Sequence, residues 1–429
     1  MARAFFRLSR RDLMAGFGAS TLAGLASRAW AQARTALQAK PAGIALRPGS
    51  PETPVWSLAG SELRFRRGET VTFDLGNELP GPVAFDWRGL DGVPAVTPLT
   101  GRPPLAAGAK ESVAIPLRHA GTLLCDMSLL GADRPTRPRA LVVQESEAVT
   151  VDRDETLLVE EWRLRADGTA VAPGASPAET TVSYTLNGKP SLDVAARTNE
   201  RLRLRFINGS PRTVIALKLE SVEVRVMAID SQPSEPFLAR NGTLVLAPGS
   251  RVDAFVDVMA SPGSNLKILL HEGKEARTIG FIIVSRDLPA RPAPLPPPPP
   301  LPSNGLPERL DLRNALRVDL GLSGAEWIAP ASFSANIPPA LRAKTRRIVV
   351  LALTNRANVA TVFHLQGHHF RLLDKLDDGW KPFWLDTLAI EPGQTQRIAF
   401  AAEHAGRWLI ESTATDWAPP RLVRWFVVE

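Results

Sequence analysis

TVFHLQGHHF (residues 361–370), taken with ESTATDWAPPRL (residues 411–422), decides how this chain is read. Val362, Phe363, Phe370, Leu372 and Leu373 flank the histidines, and Gly367 interrupts the run, so the residues predict a strand with a bend at Gly367. His364, His368 and His369 form an HxxxHH pattern. A helix would stack the first two. In an extended strand four residues span about 13 Å, too far for two imidazoles to share one metal. The stretch has an echo near the start of the chain. Phe85-Asp86-Trp87-Arg88-Gly89 answers Phe363-His364-Leu365-Gln366-Gly367, and LRHAGTLLCD (117–126) answers AEHAGRWLIE (402–411). The offsets, 278 residues for the Phe pair and 285 for His119 against His404, are similar enough to indicate two units built on one plan.

The rest of the chain uses the same grammar. GETVTFDLGNEL (68–79) alternates apolar and polar residues as a half-buried strand does, and AKESVAIPLRHAGTLLCDMS (109–128) completes a first unit. TLNGK (185–189), NERLRLRFINGS (199–210) and LAPGSRVDAFVDV (246–258) build a second from strands and a Pro-Gly turn. Within it Arg201, Arg203 and Arg205 alternate with Leu202 and Leu204, which predicts the solvated face of a strand. Residues 286–307, with five consecutive prolines at 296–300, read as a polyproline II spacer. RRIVVLALTNRA and WLDTLAIEPGQTQRIAF belong to the third unit. The expectation is an all-β chain with units at 41–148, 152–285 and 308–429, after a polar leader.

The two C-terminal phrases resemble the copper-ligand signature of the multicopper oxidases, in which HPxHLHGHxF is followed by HCHxxxH and an axial Met or Leu. The resemblance extends over nearly all of the chain beyond its N-terminal segment and implies three cupredoxin-like Greek-key β-sandwich domains. Laid on that pattern, the first three His of the first motif fall on Thr361, His364 and Gln366. The three positions of His-Cys-His fall on Glu411, Ser412 and Thr413, the next His on Trp417, and the axial ligand on Leu422. In the first domain HWHG becomes Asp86-Trp87-Arg88-Gly89, and the two His of HSH fall on Asp126 and Ser128. Of the positions implied for a trinuclear cluster, His364 alone keeps its imidazole.

A residue count leads the same way. A four-copper enzyme needs about ten imidazoles and one thiolate, whereas this chain has six His and one Cys. No copper or other cofactor is therefore expected, with residual metal at His364, His368 or His369 as the weak remainder. Asp86, Asp126, Glu411 and Asp416 are expected to converge with His364 and Arg88, as a void refilled by salt bridges or as an acid–base pair. Cys125 reads as a buried small hydrophobe, and His119 and His404, both in HAG, as supports of a turn. The resemblance to copper-less members of the SufI/FtsP type implies a non-enzymatic scaffold with a protein partner, in cell division or envelope integrity. The alternative is a copper-dependent oxidoreductase with a degenerate site.

Arg3, Arg7, the SRRDLM run, an apolar stretch at 15–26 and Ala29-Trp30-Ala31 look like a twin-arginine signal over residues 1–31. This predicts folded export through the twin-arginine machinery to the periplasm. Without those residues, five Arg and one Asp among them, the formal charge falls from +7 to +3, leaving no basic stripe for nucleic acid. No long apolar segment follows, so no transmembrane span is expected. Trp380, Phe383, Trp384, Trp417 and Trp425 are the candidate aromatic anchors for a partner, weighed against core packing. GxSxG, Walker, HExxH and dinucleotide motifs are absent.

Overall fold

Alternation becomes structure at once in the strand Thr70–Asn77, which buries Val71, Phe73 and Leu75. It runs parallel to Ala33–Ile44 and antiparallel to Lys110–Pro116. The computed structural model describes residues 33–429 apart from 48, 129, 132, 274, 335 and 375–378. The twin-arginine segment read at 1–31 lies outside them. Strand Ala33–Ile44 starts before residue 41 and replaces the polar leader, because Leu37 and Ala39 fill the same core as Val71 and Phe73.

The fold is all-β. In the first domain one sheet orders Lys110–Pro116, Thr70–Asn77, Ala33–Ile44, Thr53–Ala59 and Thr136–Arg137, and the facing sheet Arg64–Arg66, Arg139–Gln144, Gly121–Asp126 and Asp86–Arg88. The second domain orders Thr181–Leu186, Arg153–Leu164, Arg201–Asn208, Arg251–Asp257, Arg225–Ile229 and Gln232–Leu238. It packs them on Leu192–Ala196, Glu275–Val284, Asn265–Glu272, Ile215–Leu219 and Thr243–Leu246. The third packs Leu316–Gly321, Arg347–Thr354, Thr395–Ala402 and Arg371–Leu372 on Arg342–Ala343, Leu422–Val428, Gly406–Ala414, Thr361–Leu365 and Thr387–Ile390. Each sandwich closes over its own apolar core. Among the described residues no helix is long and apolar enough to cross a membrane.

Two expectations are corrected here. Arg201, Arg203 and Arg205 are not solvated: each is buried, at 2%, 1% and 0% exposure. Their strand is central in its sheet, and its second face is covered by the first domain and the 286–307 segment. Arg203 pairs with Glu145 at 2.8 Å and Asp253 at 2.6 Å, Arg205 with Asp154 at 2.5 Å and Asp253 at 2.8 Å, and Arg201 with Asp257 at 2.7 Å. Buried guanidinium groups are tolerated where carboxylates meet them, and periodicity alone does not reveal those partners. The proline-rich segment is likewise laid along the protein instead of spanning free space. Pro296 and Ser303 carbonyls accept from Arg201 (2.8 Å) and Arg67 (2.7 Å), and the Asn304 side chain pairs with the backbone of Ala120.

Candidate functional site

The internal echo is a structural repeat. Asp86 sits opposite Asp126 in one antiparallel pair, and His364 opposite Glu411 in the other. Side chains alternate along a strand, so His364, Glu411 and Thr413 share one face of their sheet. With Arg88 and Asp126, and with Asn208 to Pro211, Pro248 and Gly249 of the second domain, they line a cavity of about 20 Å³ where the three domains meet. That is room for about one water molecule.

Charge fills the rest. Arg88 Nη2 lies 2.6 Å from Glu411 Oε2, and its Nε 3.3 Å from Asp86 Oδ2. Gln366 Nε2 donates to Asp86 Oδ1 (2.6 Å) and to Glu411 Oε1 (3.1 Å). Arg421 adds a second cation, 3.3 Å from Glu411, and donates to Ser128 Oγ at 3.2 Å. Asp126 in turn accepts from the Ser128 hydroxyl and from the N–H groups of Met127 and Ser128. Burial pushes Glu411 up, but Arg88 and Arg421 outweigh it and hold the carboxyl at about 2. Asp86 is raised because burial outweighs Arg88, with Glu411 adding to the rise. His364 Nδ1 contacts Thr387 Oγ1 at 2.9 Å, and its buried Nε2 has no partner. Asp416 is exposed and stays outside this network.

Thr361, Ser412 and Leu422 lie on the opposite face of the same sheet. Thr361 donates to Asn355 (3.2 Å), Ser412 to the Leu322 carbonyl (2.5 Å), and Leu422 packs against the third core. Trp417 donates to the Ala172 carbonyl at 3.1 Å and carries Arg163 on its ring. A hydroxyl committed to a carbonyl and a capped indole offer copper neither thiolate nor imidazole. Among the described residues no three His, Cys, Asp or Glu side chains form a metal-holding group.

Gly367, at φ 70°, turns the chain after His364 as the sequence indicates. His368 and His369 are sent apart by it. His368 packs among Trp408, Phe400 and Phe426, with ring centroids 4.8 to 5.6 Å away, while His369 enters the junction of all three domains. There Asp91 holds two imidazoles, His369 at 2.6 Å and His119 at 3.0 Å. His119 thus binds an acid and does not brace its own turn; in the HAG of the third domain it is the His404 backbone carbonyl that accepts from Trp408. Arg251 ties the domains together from the centre. Its guanidinium reaches the Thr122 carbonyl in the first, Gly249 and Ser231 in the second, and Asp386 at 2.6 Å in the third. Reading the sequence missed Asp91, Arg251, Asp386 and Arg421. The available signal was a charge set inside an apolar phrase, as Arg251 in PGSRVDAF and Asp386 in WLDTLAI, which needs a buried partner.

Trp384, Trp417 and Trp425 are buried, so they anchor no partner from the surface. Trp380 and Phe383 are half-buried. Cys125 is fully buried, and burial raises its thiol well above the usual range.

Residues 313–429 match the family model described as "Multicopper oxidase". Among curated proteins, the chain is 26% identical to Laccase-14 of Oryza sativa subsp. japonica over 234 residues, 48% of this chain and 39% of that one. Against Laccase-6 of the same organism it is 27% identical over 237 residues, with the same shares. The chain thus spans about two fifths of the length of the curated relatives it matches. Among solved structures, a multicopper oxidase from Pseudomonas thermotolerans superposes with a TM-score of 0.80 at 23% identity, covering 93% of this chain and 99% of that one. Lac15 from a marine microbial metagenome gives 0.76 at 23% identity, covering 93% and 100%. The chain has the fold of the multicopper oxidases, and its last domain fits their sequence model.

Proposed function

We propose that this chain of multicopper-oxidase fold is a copper-free, non-enzymatic interaction protein, exported folded to the periplasm. The observation that carries the reading is Arg88 between Asp86 and Glu411. A guanidinium has no lone pair to give a metal and does not deprotonate in proteins. The positive charge that balances these carboxylates is therefore built into the chain. Ser412 and Trp417, at the positions where the family pattern has Cys and His, support the same reading.

A partner-binding role draws on a groove of about 390 Å³ between the second and third domains, lined by Phe237, Val245, Phe383, Leu388 and Ala389 among others. Three of its strands, Gln232–Leu238, Thr243–Leu246 and Thr387–Ile390, are the last in their sheets. Val245 is 70% and Phe237 41% exposed. Sheet edges beside apolar side chains suit an extended apolar segment of another protein, added as a strand. The periplasmic setting rests on the segment at 1–31, and a role in cell division or envelope integrity on the SufI/FtsP resemblance.

One observation favours the other reading, an oxidoreductase with a partial copper site: the unpartnered Nε2 of His364. A photo-crosslinker at Val245 in the exported protein separates the two. A discrete adduct that disappears with Phe237→Asp supports the interaction role. The absence of any adduct, with dioxygen uptake on a phenol or ferrous iron, contradicts it.

A further inference from the structure

A second cleft opens beside the Arg88 network. It has a volume of about 240 Å³ and is lined by Ser128, Arg134, Thr136, Arg212 and Arg421, with Pro, Gly, Ala and Leu residues for the remainder. Three arginines and no carboxylate face it. Arg421 is already engaged, with Glu411 at 3.3 Å and Ser128 at 3.2 Å. Arg212 is different. Its residue is 3% exposed, and Nη2 donates to the Pro419 carbonyl at 2.8 Å, but Nε and Nη1 are buried with no hydrogen-bond partner.

A buried guanidinium costs several kcal/mol of desolvation unless a carboxylate or other acceptors compensate it. Every other fully buried arginine described above meets carboxylates: Arg88, Arg201, Arg203, Arg205 and Arg251. At Arg212 burial and the neighbouring Arg421 outweigh the charge of Asp416 and push the pKa down to about 9, so the group remains charged at neutral pH. Asp416 offsets part of this charge at a distance but is not among the residues that line the cleft, so a cation with spare N–H groups faces two more cations there with no carboxylate in contact.

We propose that this cleft binds a small oxyanion, a carboxylate or phosphate group, held by Arg212 with Arg421 and Arg134 beside it. Guanidinium N–H groups suit both oxyanions. At about 240 Å³ the cleft lies below the ~300–1,000 Å³ of drug-sized ligand sites, so the ligand is a small acid. The proposal is independent of the partner groove, which lies between other strands.

Titration of the full chain with inorganic phosphate, with succinate, and with chloride at matched ionic strength tests it, read as thermal shift and by calorimetry. A saturable upward shift with phosphate or succinate, but not chloride, is expected; the arm that responds names the anion class. Arg212→Met should weaken that binding roughly tenfold or more, the value of a charge-assisted hydrogen bond. If that variant does not fold, Arg134→Gln, on an exposed residue, should still weaken binding measurably. No saturable response to either anion, or affinities unchanged in the folded variants, would overturn the proposal.

Discussion

Arg88 Nη2 and Glu411 Oε2 lie 2.6 Å apart, both buried, and join the first domain to the third across 323 residues of sequence. Removing Arg88 leaves Asp86 without its cation and Glu411 with Arg421 alone, in a buried site. Arg88→Ala should therefore lower unfolding free energy by ~3–5 kcal/mol, measured by urea denaturation. The double variant R88M/E411M should not recover that loss, because Asp86 stays without Arg88 and Arg421 without Glu411. A loss under ~1 kcal/mol in R88A would mean the pair is solvated.

Stability should peak near neutral pH, because two adjacent histidines are shifted in opposite senses. Burial lowers His369, but Asp91 and the Asp230 carbonyl outweigh it and raise the group to about 9. A raised pKa contributes stability that is complete below the ordinary 6.5 and lost as pH climbs through 9, of order 3 kcal/mol in all. Burial depresses His368 to about 4, so its contribution holds above 6.5 and fades as pH falls toward 4. Glu411, held at about 2, adds a further loss in stronger acid. Urea midpoints across this range check the shape, and His369→Gln should flatten the alkaline limb alone.

Gly367 and Trp408 touch closely. A β-carbon at Gly367 would sit 2.0 Å from the Trp408 ring, and the backbone there has φ 70°. Gly367→Ala should cost several kcal/mol, combining overpacking with a strained backbone, and be seen as a lowered thermal midpoint. Gly393→Ala shares the positive φ but has open space around it, so it should cost less, about 1 kcal/mol.

Cys125 should be inert in the native protein. Its thiol is fully buried in the first core and raised in pKa, and the thiolate is the reactive form. Maleimide or disulfide reagents should label it only after denaturant is added. Rapid native labelling would show that the first sandwich opens.

The strands were legible because alternation is local: Thr70–Asn77 and Thr361–Leu365 follow from which neighbours are apolar. The repeat was legible too, and the pairings Asp86 with Asp126 and His364 with Glu411 are its structural counterpart. The partners of charged residues could not be read. Arg203 and Arg205 have the spacing of a solvated face, and only their contacts with Glu145, Asp154 and Asp253 show that they are interior. The three-domain junction escaped for the same reason. Asp91, His119 and His369 are far apart in sequence, and nothing in a one-dimensional pattern records that Asp91 receives both imidazoles.

Copper content tests the central claim most directly. The purified protein, expressed and then dialysed with excess copper, should hold no stoichiometric copper by elemental analysis and show no intense blue thiolate-to-copper absorption. Near-stoichiometric loading of several coppers per chain with that absorption would contradict the account.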